Sequence, residues 1–146
     1  MSTAPKYRKL RTAERSELEK WRSLGEFVIL YYTGKPAAPT PAKLESVFAL
    51  WRADKNRKKL RAPDFAYAFG TLLADHLVAK LDFEWRIITD DQGQDFCLKS
   101  AATDWETYPI DYVWKRVKPR APRDEMGFFT GAWQFWRRKV PRRTAS

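Results

Sequence analysis

The stretch TDDQGQDF, residues 89–96, places three aspartates and two glutamines around a glycine, a composition that could ligate a hard cation or simply turn a chain. A helix–loop–helix calcium site needs oxygen side chains at loop positions one, three and five, glycine at six and glutamate at twelve. With Gly93 as the glycine, Asp90 and Gln92 fall correctly, but Ile88 occupies the first position and Lys99 the twelfth. The pattern fails at both ends. A hairpin turn fits better, because Gly93 supplies a positive φ after Asp90-Asp91-Gln92.

Other chemistry is equally sparse. His76 is the only histidine and Cys97 the only cysteine, and they stand far apart in sequence. A nucleophilic hydrolase needs its thiol or hydroxyl beside a base, and no GxSxG, phosphate-loop, HExxH or CxxC pattern occurs. The carboxylates Asp90, Asp91, Asp95, Asp104, Glu106 and Asp111 could gather a divalent cation or supply a glycosidase-like pair. Acids flanking turns are more often simply solvated. The expectation is therefore a non-enzymatic protein with no catalytic residue, metal ligand or cofactor. His76 is expected as a half-buried side chain and Cys97 as a packing residue on a strand.

The elements that would position these residues follow from periodicity. Leu18, Trp21, Leu24, Val28 and Tyr31 or Tyr32 step by threes and fours over 12–33, which predicts an amphipathic helix. Ser16 and Glu19 have capping-box spacing, and Gly34 suits the C-terminal end. After the proline-rich loop 35–41, Thr40 and Pro41 read as the cap and first residue of a helix burying Leu44, Val47, Phe48 and Trp51. KNRKKLR, 55–61, follows as a cationic connector. A third helix over about 63–81 carries Phe65, Phe69, Leu72, Leu73, Leu77 and Leu81 beside a small-residue stripe of Ala66, Gly70 and Ala74. Gly70 costs roughly 1 kcal/mol of helix propensity, so close packing is its expected reason.

Phe83, Trp85, Ile87 and Thr89 alternate with Glu84, Arg86 and Ile88, and Phe96 and Leu98 with Asp95, Cys97 and Lys99 on the return strand, giving a hairpin near 83–99 with one buried face. A short strand near 105–108 leads to a helix opened by Pro109 that turns Ile110, Val113, Trp114 and Val117 inward. PRAPR, 119–123, reads as a rigid basic loop. The last helix is expected to begin near Arg123 with Asp124 and Glu125 in its first turn. Met126, Phe129, Ala132, Trp133, Trp136 and Val140 form its stripe, which Phe128 and Phe135 widen until Pro141 ends it. The fold class is α+β, several helices on a small antiparallel sheet. The organisation is a basic arm at 1–11, one domain over 12–140 and a basic tail at 141–146.

The succession GTLLADHL, LDFEW, TDDQGQDF, TYP and VWKRV resembles family 3806 of the domains of unknown function, a group of small bacterial domains. Gly70, Trp85, Asp90, Gly93, Asp95, Tyr108, Pro109, Val113, Lys115 and Arg116 carry the likeness, over about 65–118. The resemblance implies an α+β fold and no established activity.

Charge and composition then bound the partners. The chain has 146 residues, 44% apolar and 15% aromatic with seven tryptophans, so it is no disordered segment. No secretory h-region opens it, and no apolar run approaches the roughly 20 residues of a bilayer span. A lone cysteine excludes an internal disulfide, and a cytoplasmic location is the expectation. The net charge is +10, yet 12–136 holds 19 bases against 18 acids. The excess thus sits near the ends, in Lys6, Arg8, Lys9 and Arg11 and in Arg137, Arg138, Lys139, Arg142 and Arg143. Residues 82–111, by contrast, hold eight acids and two bases. The leading expectation is a protein-interaction module of antitoxin, immunity or adaptor type, with Asp90, Asp91, Asp95, Trp105, Lys115 and Arg116 as contact candidates. The alternative is nucleic-acid association through the basic arms, with Lys6, Arg8, Lys9, Arg11, Arg137, Arg138, Arg142 and Arg143 on phosphate.

Overall fold

The periodicities resolve into helices packed with a four-stranded antiparallel sheet, in a computed structural model that describes residues 4–56, 60–118 and 127–143. Strand β1 (Lys6–Arg8) leads into helices α1 (Thr12–Thr33), α2 (Pro41–Ala53) and α3 (Ala62–Lys80). The hairpin of β2 (Phe83–Asp90) and β3 (Gly93–Ser100) follows, then β4 (Glu106–Thr107), α4 (Pro109–Val117) and α5 (Phe128–Lys139). The sheet order is β1-β2-β3-β4, with Arg8 opposite Ile87 and Thr107 opposite Leu98 at the two edges.

Local chemistry explains most boundaries. Thr40 caps α2 by accepting the Lys43 N–H at 3.2 Å, with Pro41 first in the helix. Gly34 ends α1 in the left-handed region at φ +80°, its N–H on the Leu30 carbonyl at 2.8 Å. The start of α1 corrects the expected Ser16–Glu19 box, since both residues lie inside the helix. Glu14 does the capping instead, accepting the Arg11 N–H at 2.8 Å. The Arg8 guanidinium holds that carboxylate by two bonds of 2.7 and 2.6 Å. Arg8 first, and the Arg11 N–H second, bring the Glu14 carboxyl down to about 2.

Helix α3 is the spine. Phe65, Phe69, Leu72, Leu73 and Leu77 are buried, and so is the stripe of Ala66, Gly70 and Ala74. A Cβ built on Gly70 would lie 2.5 Å from the Ile110 Cα, so α4 rests on the bare glycine backbone. The core divides in two. One cluster joins α1, α2, α3, α4 and α5 around Phe48, Phe65, Phe69 and Phe129; the other sets Leu77 and Leu81 against Phe83, Leu98 and Val140. Burying each such side chain contributes roughly 1.5–3 kcal/mol relative to leaving it exposed.

The sheet departs from the expected single buried face. Ile88 and Cys97 point away from the helices, yet Ile88 is 4% and Cys97 0% exposed. Tyr7 on β1 is the reason. Its side chain crosses the outer face and its hydroxyl donates to Glu106 of β4, with the Lys99 ammonium 5.2 Å from its ring centre.

The expected loop 119–123, the helix start near Arg123 with Asp124 and Glu125, and Met126 lie outside the described residues. Described α5 opens at Phe128, after Gly127 at φ +79°. A carboxylate from elsewhere serves its positive end: Glu45 of α2 accepts the Phe129 N–H at 2.9 Å.

Candidate interaction surfaces

The DDQGQD loop is a tight turn. Asp90 pairs with Gly93 across the strands, Gly93 has φ +113°, and the Asp90 carboxylate accepts the Gln92 N–H at 2.8 Å. Among the described residues no three histidine, cysteine or acidic side chains converge as metal ligands do. Gly93→Ala is expected to cost about 1 kcal/mol or more, read as a lower urea midpoint, because alanine resists that φ. Millimolar calcium, magnesium or manganese should leave the thermal melt unchanged. A metal-dependent melt abolished by Asp91→Asn would show a cation loop instead.

His76 and Cys97 sit on opposite sides of the sheet. His76 meets Trp133 edge-on at 4.7 Å, and burial, with Lys80 second, lowers its pKa and so favours the neutral ring. Burial pushes the Cys97 thiol up to about 12, with Glu106 and Asp95 adding to the effect. A thiol so protonated is inert.

The basic ends are not free arms. Lys6, Tyr7 and Arg8 pair with Thr89, Ile88 and Ile87, and Arg8 is spent on Glu14. At the other end Arg142 bridges Leu81, while Arg143 donates to the Val78 and Phe83 carbonyls. Lys9 and Arg11 remain exposed, as do Arg137, Arg138, Lys139 and Arg142. These ends fold because a strand partner and unpaired carbonyls await them, which composition alone does not reveal.

The six contact candidates separate. Asp90, Asp91 and Asp95 stand at the tip of the hairpin, and Asp111 of α4 lies near Asp95 and pairs with Lys115 at 3.0 Å. Arg116 turns to the other side of α4, its guanidinium carbon 3.8 Å from the centre of the Tyr112 ring. Trp105 is at the opposite end of the hairpin, where its carbonyl accepts the Ser100 N–H at 3.0 Å. An eight-residue strand spans roughly 25 Å, so Trp105 and the acidic tip are separate surfaces.

What the spacing missed is the company Trp105 keeps. Its ring meets Trp136 edge-on at 5.6 Å and Phe135 at 6.3 Å, both from α5. Trp105 is 42% and Phe135 45% exposed, so Phe135 does not widen the buried stripe as expected. The Lys139 ammonium stands 5.9 Å from the Trp105 ring centre and 5.7 Å from that of Phe135. Exposed Arg138 lies one helical turn beyond Phe135, whereas Arg137 turns round the helix to Trp133, its guanidinium carbon 5.8 Å from that ring centre. The result is an aromatic ridge with a cationic border. The available signal was the helical position of Phe135, about 100° round from Trp136 and so at the margin of the stripe.

A four-stranded antiparallel sheet with helices packed against it defines a small α+β domain. Its family is the one described as domain of unknown function 3806, whose model matches residues 49–129; the chain belongs to it. That span takes in the end of α2 and the start of α5 as well as the motifs between. A crystal structure from Bacteroides thetaiotaomicron VPI-5482 shares the fold, with a TM-score of 0.70 at 14% identity over 92% of this chain. The match covers 49% of that chain, so the present sequence spans about half its length. No curated protein matches the sequence. No described helix is long and apolar enough to cross a membrane.

Proposed function

We propose that this protein is a non-enzymatic interaction module, of adaptor or immunity type, that binds an acidic protein surface through the ridge of Trp105, Phe135 and Trp136. The carrying observation is that two exposed aromatic rings from distant segments are held edge-on, with the Lys139 ammonium near both. Ordered aromatics have little rotamer freedom to lose, which is why tryptophan and arginine anchor interfaces while the surrounding charges select the partner. Lys139, with Arg138 one helical turn beyond Phe135, selects for acid. A lone buried thiol suits a reducing, cytoplasmic setting.

The test is capture from nuclease-treated host lysate by the tagged full chain and by a Trp105→Ala/Phe135→Ala variant. Both side chains are surface groups, so folding should survive, while affinity for the recovered partner should fall by about 30-fold or more. An identical recovered set at undiminished affinity would sink the proposal. Stacking rings beside cations also favour a second reading, single-stranded nucleic acid on the same ridge. That reading requires salt-sensitive anisotropy of a labelled oligonucleotide that the double variant abolishes.

A further inference from the structure

Beside the acidic tip, between α3, α4 and the edge of β3, runs a cleft of about 220 Å³ lined by Tyr67, Phe96 and Trp114 together with Asp95 and Asp111. A neighbouring recess of about 240 Å³ shares Tyr67, Asp95 and Phe96 and adds Glu14 and Glu17. Tyr67, Asp95 and Phe96 are thus common to the groove and its neighbour. The aromatic residues are anchored on its inner side: Tyr67 stacks on Trp21 at 4.7 Å, Phe96 meets Trp85 edge-on at 6.0 Å, and Trp114 packs on the core.

The carboxylates are short of cations. Partial burial raises the Asp95 pKa, and Asp111 and Asp90 add repulsion. Among the described residues the ion pairs reaching this groove or its neighbour are Arg8 to Glu14 and Lys115 to Asp111, the second an exposed pair of a kind worth little. The edge itself is closed to an added strand at Phe96, whose N–H is taken by the Asp95 carboxylate at 2.8 Å. Recognition here therefore runs through a side chain entering the groove.

We propose that this groove binds a basic protein segment, seating one lysine or arginine side chain among Tyr67, Phe96 and Trp114 with Asp95 and Asp111 as its counter-ions. Aromatic faces attract a cation through their quadrupole, and adjacent carboxylates supply the opposite charge. An acidic or neutral segment would leave those carboxylates uncompensated. Because the whole chain carries +10, long-range attraction does not explain capture of a cationic peptide; only a local site can.

The experiment is fluorescence anisotropy of a labelled tetra-arginine peptide titrated with the full chain. Saturable binding is expected, weakened about tenfold or more by Asp95→Asn/Asp111→Asn and several-fold by Tyr67→Leu, with native circular dichroism in each. The Trp105→Ala/Phe135→Ala variant should bind the peptide normally, which separates this site from the ridge. Absence of saturation, or binding that the aspartate variant leaves intact, overturns the proposal. So does loss in the aspartate variant with Tyr67→Leu unchanged, since that pattern is diffuse attraction to the acidic tip.

Discussion

Replacing Phe48 by alanine should lower stability by about 3–5 kcal/mol, the range for emptying a phenylalanine site in a packed core. Phe48 is 1% exposed, and its ring contacts those of Trp51, Phe65, Phe128 and Phe129 at 6.2, 5.8, 4.9 and 6.2 Å. Four neighbours from three helices cannot all collapse into the vacancy, so the cavity term persists. Two of them open α5, the helix that carries Phe135, Trp136 and Lys139. Urea unfolding should report the loss, and ridge binding should weaken even where the variant stays folded. A loss below about 1 kcal/mol would mean that the aromatic cluster relaxes freely, contrary to close packing.

Gly70→Ala should cost about 1–3 kcal/mol although alanine is the better helix former by roughly 1 kcal/mol. The new methyl group would meet Ile110 backbone, its Cα at 2.5 Å and its N at 3.0 Å, so relief requires moving α4 itself. Gly131 supplies the control. It lies in α5 with nothing within 4 Å of a built Cβ, so Gly131→Ala should gain up to about 1 kcal/mol by the same urea measurement. Equal effects at the two positions would refute the close-approach argument. Because α4 also carries Asp111 and Trp114, Gly70→Ala should loosen tetra-arginine binding too.

These residues also show what was legible beforehand. The stripe of Ala66, Gly70 and Ala74 announced a close neighbour because a mid-helix glycine has a local cost that only packing offsets. Thr40-Pro41, Gly34 and Gly93 marked boundaries for equally local reasons. The α1 start was misplaced because Glu14 is held by Arg8, a contact that depends on β1 being in the sheet. Nothing within KYR announces its pairing with Ile88, nor that Tyr7 would cover Cys97. The ridge was half visible: Trp105 stood out as a candidate, but its meeting with Phe135 and Lys139 is made by the packing of α5 against the end of the sheet. Charge counting placed the cations near the ends of the chain and could not show that Arg8 and Arg143 are consumed there.

The ties made by those end segments also set an order of assembly. Tyr7 and Glu106 are 99 residues apart in sequence, and Arg143 reaches carbonyls 65 and 60 residues behind it. Each doubling of a closed loop costs only about 0.6 kcal/mol more, so such ties are affordable once the intervening chain is compact. They are slow to find before then, because distant contacts are reached only after local ones have drawn the chain in. During synthesis Lys6–Arg8 emerges before β2 and has no strand to join until β2 is made, so this segment of the sheet is completed late. The helices and the β2–β3 hairpin form the body, and the two end segments close onto it at opposite ends of β2, one along Ile87–Thr89 and the other at the α3–β2 junction up to Phe83, like a clasp.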